Sequence, residues 1–482
     1  MVSSKVNFQT SDALLDKLFH SAEEKSLQNL KDFAGRTVLI EGGGYEKIWL
    51  ETQPMGGEMY AKRNMEAGLN NNLLFMECQR ADGRIPGSIA MIDGVLTPQF
   101  NKFQGFCFPA PALNLYYLIG KDNYYLELLY STLEQFDDYL WRTRDSDGDG
   151  CLETWCKYDT GEDHAMRYGD APDAWEEEVP PERCEIVPMA SIDVMSYSYT
   201  CRDTLAKISR IFGKEDRAAT WQQKAETVRT KIREYLWNEE RGACLDRDKH
   251  HRVLPTLMHN TLRAMYWGSI RQDMADRFVK EHLLNPQEFW TKMPLPSVAV
   301  NDPLFRNVTT NNWSGQAEAL TYQRAIRALE NYGYDALIPE LGNKLFEAIG
   351  EECVFVQQYD PFTGVPSRVC HTEEQDAYGP AMLSVLEYSA RMYGVHREQE
   401  QIFWGTCGKP GQFFEYEQIF GDNSYLLKNN GVLAEGFVNG RKVWESEPGR
   451  KIITDVQGRK MSEKRVSGNT DKNYCKNRQN VL

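Results

Sequence analysis

The chain has 482 residues, of which 41% are hydrophobic and 26% charged, with a formal net charge of −15. This is soluble-protein composition with enough length to bury a large core, and its acidic balance sets aside a phosphate backbone as partner, since the only basic stretch is the tail from Lys460 to Arg478. No apolar run approaches the roughly 20 residues of a membrane span, so no membrane is expected either.

Met1 to Thr10 lack a charged start followed by an apolar stretch, so no signal peptide is expected. The 11 cysteines are scattered without a Cys-x-x-Cys pair or zinc spacing, which fits reduced, buried thiols and a cytoplasmic location. In that setting the sequons at Asn307 and Asn312 are chance matches.

From Ser11 to about Tyr393 apolar residues recur at three- and four-residue spacing, the mark of helices with one buried face. Leu14-Leu15-Leu18 begins the series, followed by Ala112-Leu115-Tyr116-Ile119 and Leu126-Leu129-Leu133-Phe136-Leu140. It continues through Met195-Tyr199-Leu205-Ile208, Trp221-Ala225-Val228-Ile232, Leu320-Ala325-Leu329 and Leu337-Leu341-Leu345, ending with Met382-Val385-Leu386-Met392. Gly213 and Gly333 suit helix C-caps between paired helices.

Helix pairs in series build a solenoid or a closed toroid. A solenoid needs self-similarity at a fixed period, which is absent here. Long irregular stretches, Glu153–Val187 and Thr291–Asn312, are what an enzyme uses to line a cleft. The expected fold is therefore mainly α, an (α/α)6 toroid of paired helices occupying residues 1–395.

After Val395 short strand-like runs appear, with Asn430-Gly431 and Asn439-Gly440 as hairpin turns between them. Residues 396–458 are expected to form a small antiparallel β domain. Residues 459–482 are expected to be a polar, disordered tail.

The densest candidate for chemistry is Asp145-Ser146-Asp147-Gly148-Asp149-Gly150, followed by Asp159-Thr160-Gly161-Glu162-Asp163. Asp145, Asp147 and Asp149 alternate as in a calcium loop, but Cys156 stands where such a loop needs Glu, and a polar turn after a helix explains the run as well. No cofactor is expected beyond that weak calcium candidate. In the second run a carboxyl could serve as a general acid if burial and the neighbouring Glu162 and Asp159 raise its pKa.

Asp159 to Arg167 resembles the Glu-Ser-Gly-x-Asp-x-x-x-Arg segment of glycoside hydrolase families 63 and 37, the processing α-glucosidases, mannosylglycerate hydrolases and trehalases. The similarity continues in order through Leu236-Trp237-Asn238, Leu295-Pro296-Ser297, Asn312-Trp313-Ser314-Gly315, Asn331-Tyr332-Gly333, Gln357-Gln358-Tyr359-Asp360-Pro361 and Gln375-Asp376-Ala377-Tyr378-Gly379. The resemblance implies Asp163 as general acid and Arg167 and Trp313 as holders of the sugar.

Two positions depart from the family pattern. Ser314 stands where an Arg is usual, implying different contacts to substrate hydroxyls. Gln357 stands where the family has its general-base Glu, and a carboxamide cannot take a proton from water at neutral pH. Three explanations remain open. The base lies elsewhere, with Glu373, Glu374 and Asp376 nearest in sequence; the chain is an engineered Glu-to-Gln form; or it is a carbohydrate-binding protein without hydrolysis.

The expected activity is that of an inverting, exo-acting α-glycosidase on a small α-glucoside or α-mannoside, with a small oligosaccharide or glycoside as partner. Its expected binding residues are Trp49, Glu58, Phe106, Tyr158, Arg167, Trp313 and Tyr359. The segment Trp49, Glu51, Gln53, Glu58, Lys62 and Arg63 reads equally as helix-start chemistry or cleft lining. Lys102 to Pro109, rich in Phe, reads as a sugar platform.

Overall fold

The computed structural model describes residues 2–370 and 373–466. Twelve α-helices occur among them: α1 (Ala13–Ser26), α2 (Gln53–Tyr60), α3 (Met65–Glu77), α4 (Pro109–Leu118), α5 (Asn123–Thr143), α6 (Ile192–Ile211), α7 (Glu215–Lys231), α8 (Asn260–Trp267), α9 (Gln272–Phe278), α10 (Ala319–Asn331), α11 (Leu337–Ile349) and α12 (Gly379–Tyr393). Their starts carry local signals. The Asp12, Asn64 and Asp122 side chains accept the amides of Leu15, Ala67 and Tyr125, satisfying helix-end donors with no intrahelical acceptor.

Even- and odd-numbered helices differ in how they are buried. Every residue of α12 except Arg391 is buried, so it has no solvent face to be amphipathic about. Helix α7 buries only Ala218, Trp221, Ala225 and Val228, a single stripe with charge on the rest. The contacts explain the contrast: α2 packs on α4, α4 on α6, α6 on α8, α8 on α10, α10 on α12, and α12 returns to α2. The odd-numbered helices lie against these, with α1 on α12, α3 on α2, α5 on α6, α7 on α6, α9 on α8 and α11 on α12.

The β region is larger than the sequence suggests. One five-stranded antiparallel sheet runs Ser4–Thr10, Phe414–Phe420, Asn423–Asn429, Ala434–Val438, Arg441–Ser446. A four-stranded sheet runs Val395–Glu398, Gln401–Gly405, Arg450–Asp455, Lys460–Arg465. Strand Phe414–Phe420 buries every second residue, Phe414, Tyr416, Gln418 and Phe420, as a one-sided sheet requires. The Asn439-Gly440 turn has positive φ at both residues (50° and 76°), which is why Asn and Gly stand there.

Both expected boundaries therefore shift. The N-terminal strand, placed with the helices, pairs into the β region. Lys460–Arg465, placed in a disordered tail, is a strand paired to Arg450–Asp455. The alternation Lys460-Met461-Ser462-Glu463-Lys464-Arg465 is too polar to read as a strand from composition. The part of the tail expectation on residues 467–482 falls outside the described residues.

Candidate active site

A pocket of about 430 Å³, including its open mouth, is lined by Glu41, Tyr45, Trp49, Glu51, Lys102, Gln104, Gly161, Asp163, Asn311, Trp313, Leu320, Gln357 and Tyr378. All of these except Leu320 come from segments that lead from an odd-numbered helix into the next even one. Paired helices that alternate in direction bring those segments to one end of the molecule, so the topology gathers residues more than 300 positions apart.

The acidic run divides sharply. Asp159 is fully buried and held by Arg144 Nη1 at 2.7 Å and by the amides of Trp155 and Phe103 at 2.9 and 3.0 Å. Burial would raise its pKa, but Arg144 and these bonds hold it below the ordinary value. Glu162, also buried, pairs with Arg167 and meets His259 Nε2 at 3.1 Å. Burial works against its charge too, yet Arg167 and Arg263 keep it ionised far below the usual carboxylate range. The desolvated imidazole of His259 is pushed down to about 4.

Only Asp163 of the three faces the pocket. Its Oδ1 accepts Gln104 Nε2 at 3.2 Å, its Oδ2 accepts Asn311 Nδ2 at 2.9 Å, and its carbonyl accepts the Trp313 amide at 2.9 Å. Burial raises its pKa, opposed by Asn311, Lys102, Gln104 and His164. The expectation that Asp159 and Glu162 raise it is corrected, because both are neutralised by arginines behind the loop. His164 adopts φ 56° and stacks edge-on to Tyr158 at 5.4 Å.

Across the pocket lies Gln357. Its Oε1 accepts the Tyr45 hydroxyl at 2.8 Å and its Nε2 donates to Asn311 Oδ1 at 2.9 Å. Beside it Glu41 Oε1 accepts the Tyr378 hydroxyl at 3.0 Å, and the Glu41 carbonyl accepts the Gly379 amide at 2.7 Å. Burial pushes the Glu41 carboxyl up to about 8; Tyr378 opposes the shift, and Glu51 and Asp163 add to it. Glu51 pairs with Arg324 and rises to about 7, again chiefly through burial. A Cβ on Gly161, itself at φ 74°, would lie 2.3 Å from Glu51 Oε2, so only glycine fits between that carboxylate and the Asp163 loop. Glu318 is fully buried next to Gln357 and outside the pocket lining; burial holds its carboxyl neutral well above the usual range.

The structure brings together Trp49, Asp163, Trp313 and Gln357, and adds Glu51 from the segment that read two ways. Several other expected positions are corrected. Asp376 meets Lys25 and accepts the amides of Phe355 and Ala377 at 2.9 and 2.7 Å, serving its loop and not the pocket. The Glu374 backbone pairs with Val369, and its side chain lies outside the described residues.

Glu58 is buried under Asn114, among Arg327, Glu398 and Lys62, because two helical turns beyond Glu51 it faces a neighbouring helix. Phe106 is no platform: it is fully buried against Phe136 and Tyr197 at 4.9 and 5.3 Å. Tyr359 is likewise fully buried. Arg167 pairs with Glu162 and Asp246 behind the loop and does not reach the pocket. Tyr158 is half-buried and outside the pocket lining, its ring 4.6 Å from Lys102 Nζ. Ser314 Oγ accepts the Met166 amide at 2.8 Å, so the residue in place of the usual Arg braces the Asp163 loop.

In the calcium candidate, Asp145, Asp147 and Asp149 accept the amides of Gly150, Asp149 and Cys151 at 3.1, 3.0 and 2.7 Å. Asp147 and Asp149 also face His251 at 3.7 and 3.6 Å. These are the bonds of a self-closed turn, and an imidazole is a poor ligand for a hard cation. Sequence reasoning missed Glu41, Tyr45 and Asn311. One signal was present, since Glu41 lies between the apolar run Val38-Leu39-Ile40 and Gly42-Gly43-Gly44, a buried strand entering a turn that demands glycine.

The fold is similar to those of known glycoside hydrolases. The chain aligns at TM-score 0.61 and 15% identity with the family 63 mannosylglycerate hydrolase of Thermus thermophilus, over 77% of this chain and 99% of that one. It aligns at 0.54 and 15% with a neutral trehalase of Saccharomyces cerevisiae, over 76% of this chain and 80% of that one. With an alpha-L-rhamnosidase of Dictyoglumus thermophilum the values are 0.59 and 14%, over 91% of this chain and 44% of that one. These likenesses establish the helical fold. Residues 64–378 match the mannosylglycerate hydrolase MGH1-like glycoside hydrolase domain, and the chain belongs to that family of glycoside hydrolases.

Proposed function

We propose that this enzyme is an inverting, exo-acting α-glycosidase on a small α-glucoside or α-mannoside, with Asp163 as its general acid. The carrying observation is the placement of Asp163, the one member of its acidic run that faces the pocket while burial resists its ionisation. A neutral carboxyl there can donate to the leaving glycosidic oxygen. The unbroken circuit of even-numbered helices supports an (α/α)6 toroid. Trp49 and Trp313 offer ring surface to a sugar, and structures of the Thermus relative with glucose and with D-glycerate support a small glycoside. Nine cysteines, all those whose side chains are described, are free, which supports a cytoplasmic location.

The test is a panel of small α-glucosides and α-mannosides assayed with the wild type and with Asp163→Asn, following product anomers by NMR. Release of the β-anomer by the wild type and loss of at least about a hundredfold in the variant are expected. Full activity of Asp163→Asn would overturn the reading.

A further inference from the structure

Inversion needs a second carboxylate that takes a proton from water on the face of the sugar opposite the acid. Gln357 occupies the position at which the family resemblance places that group, and it cannot do so. Among the described residues four carboxyls are at or near the pocket, and three are unsuited. Asp163 is the acid of the proposed function. Glu51 is committed to Arg324 and packs against Gly161, so it shares the wall of the Asp163 loop. Glu318 is fully buried and does not line the pocket.

Glu41 has the required placement. It comes from the segment between α1 and α2 and packs on the start of α12, where its carbonyl takes the Gly379 amide and its Oε1 takes the Tyr378 hydroxyl. That puts its carboxyl on the wall formed with Tyr45 and Gln357, while Asp163 arrives from the segment between α5 and α6. Its Oε2 accepts no hydrogen bond among the described residues, which leaves one oxygen for a water. Glu41 also precedes the family match, which begins at residue 64, so no family motif would have marked it. Gly42, at φ 75°, is pinned beside it: an added Cβ would meet the Ala377 carbonyl at 2.4 Å.

We infer that Glu41 is the general base of this enzyme, standing in for the carboxylate missing at Gln357. The inference rests on the proposed function. In the step, the Asp163 proton passes to the glycosidic oxygen as the bond from that oxygen to the anomeric carbon breaks. Water oxygen bonds to the anomeric carbon from the opposite face and gives one proton to Glu41. Asp163 is left ionised and Glu41 protonated, and exchange with solvent resets both.

The experiment compares Glu41→Ala, Glu41→Gln and Asp163→Ala on the α-glucosyl and α-mannosyl fluorides and dinitrophenyl glycosides, with and without sodium azide. Fluoride and dinitrophenolate leave without an acid. Both Glu41 variants are expected to lose about a thousandfold in turnover on every substrate. Azide is expected to restore turnover to Glu41→Ala, giving the β-glycosyl azide, because the small anion needs no base and fits the vacated space. Asp163→Ala is expected to retain turnover of the activated substrates. Melting curves and sugar binding measured by calorimetry guard against a folding defect, and Glu41→Gln keeps an oxygen for Tyr378.

Activity of Glu41→Ala within tenfold of wild type would overturn the assignment, as would azide rescue of Asp163→Ala in its place. If Asp163→Asn is inactive while Glu41→Ala is active, only the Glu41 assignment fails. If Asp163→Asn is fully active, the proposed function itself fails.

Discussion

Gln357 and Asp163 are joined through one intervening amide: Asn311 donates to Asp163 Oδ2 at 2.9 Å, and its own Oδ1 accepts Gln357 Nε2 at 2.9 Å. The direction of that chain is fixed by the carboxamide at 357. Only a donor there leaves the Asn311 amide nitrogen pointing at the acid.

Replacing Gln357 by Glu is therefore expected to harm the enzyme. A carboxylate at 357 would face Asn311 Oδ1; turning the Asn311 amide to suit it would present oxygen to Asp163. The expected cost is about tenfold in kcat/KM, the size of one lost hydrogen bond to a buried carboxyl. Steady-state kinetics on the best substrate check this, and a large gain in activity would return the base to position 357.

The pH–rate profile is expected to be bell-shaped. The acid must be protonated, so rate falls as pH rises; the base must be ionised, so rate falls as pH drops. Glu41, at about 8, and Asp163, raised by burial, interact and titrate as a pair. The acid limb, which reports the base, is expected to be absent from Glu41→Gln, while the alkaline limb set by Asp163 remains.

Stability should follow Glu41 as well. Its pKa rises from 4.5 unfolded to about 8 folded, so the native state holds the proton more tightly between those values. That stabilisation is complete below 4.5 and is lost as pH rises through 8. Glu41→Gln, which cannot ionise, is expected to melt higher than wild type at pH 8, by an amount equivalent to a few kcal/mol, with the gap closing toward pH 4. Calorimetric melting at both ends of the window measures it.

Arg167 carries a different expectation. It neutralises buried Glu162 and Asp246 behind the acid loop. Arg167→Leu removes the guanidinium paired directly with both buried carboxylates, leaving only Arg263 near Glu162, and is expected to destabilise the fold by about 3–5 kcal/mol. Urea denaturation tests this, and an unchanged midpoint would contradict the bracing role.

Chelation should do nothing. Asp145, Asp147 and Asp149 already satisfy backbone amides of their own turn, so EDTA is expected to leave both Tm and turnover unchanged.

The helices and the pocket position of Asp163 were legible in the sequence for physical reasons. Amphipathic runs such as Leu126 to Leu140 announce themselves by period, and Asp163 came with an ordered set of motifs. The pocket's other walls were less visible. Phe106 and Tyr359 are aromatic and near motifs, yet core packing claimed them, and sequence does not say which face of a loop points inward. Arg167 read as a sugar ligand because a cation near an acid looks functional; its true partners, Glu162 and Asp246, are set by folding. Glu41 went unnoticed because it stands alone, more than 100 residues from Asp163 and more than 300 from Tyr378.

The strand Ser4–Thr10 finds its partner at Phe414–Phe420, some 400 residues away along the chain. During synthesis its hydrogen-bonding edge stays open until nearly all of the helical part has been made. A ribosome paused before residue 414 would display that edge, with Phe8 uncovered, to other nascent chains. Vulnerability to aggregation should then be greatest late in translation, and truncations removing Phe414–Phe420 should need a chaperone more than truncations that remove the N-terminal strand as well.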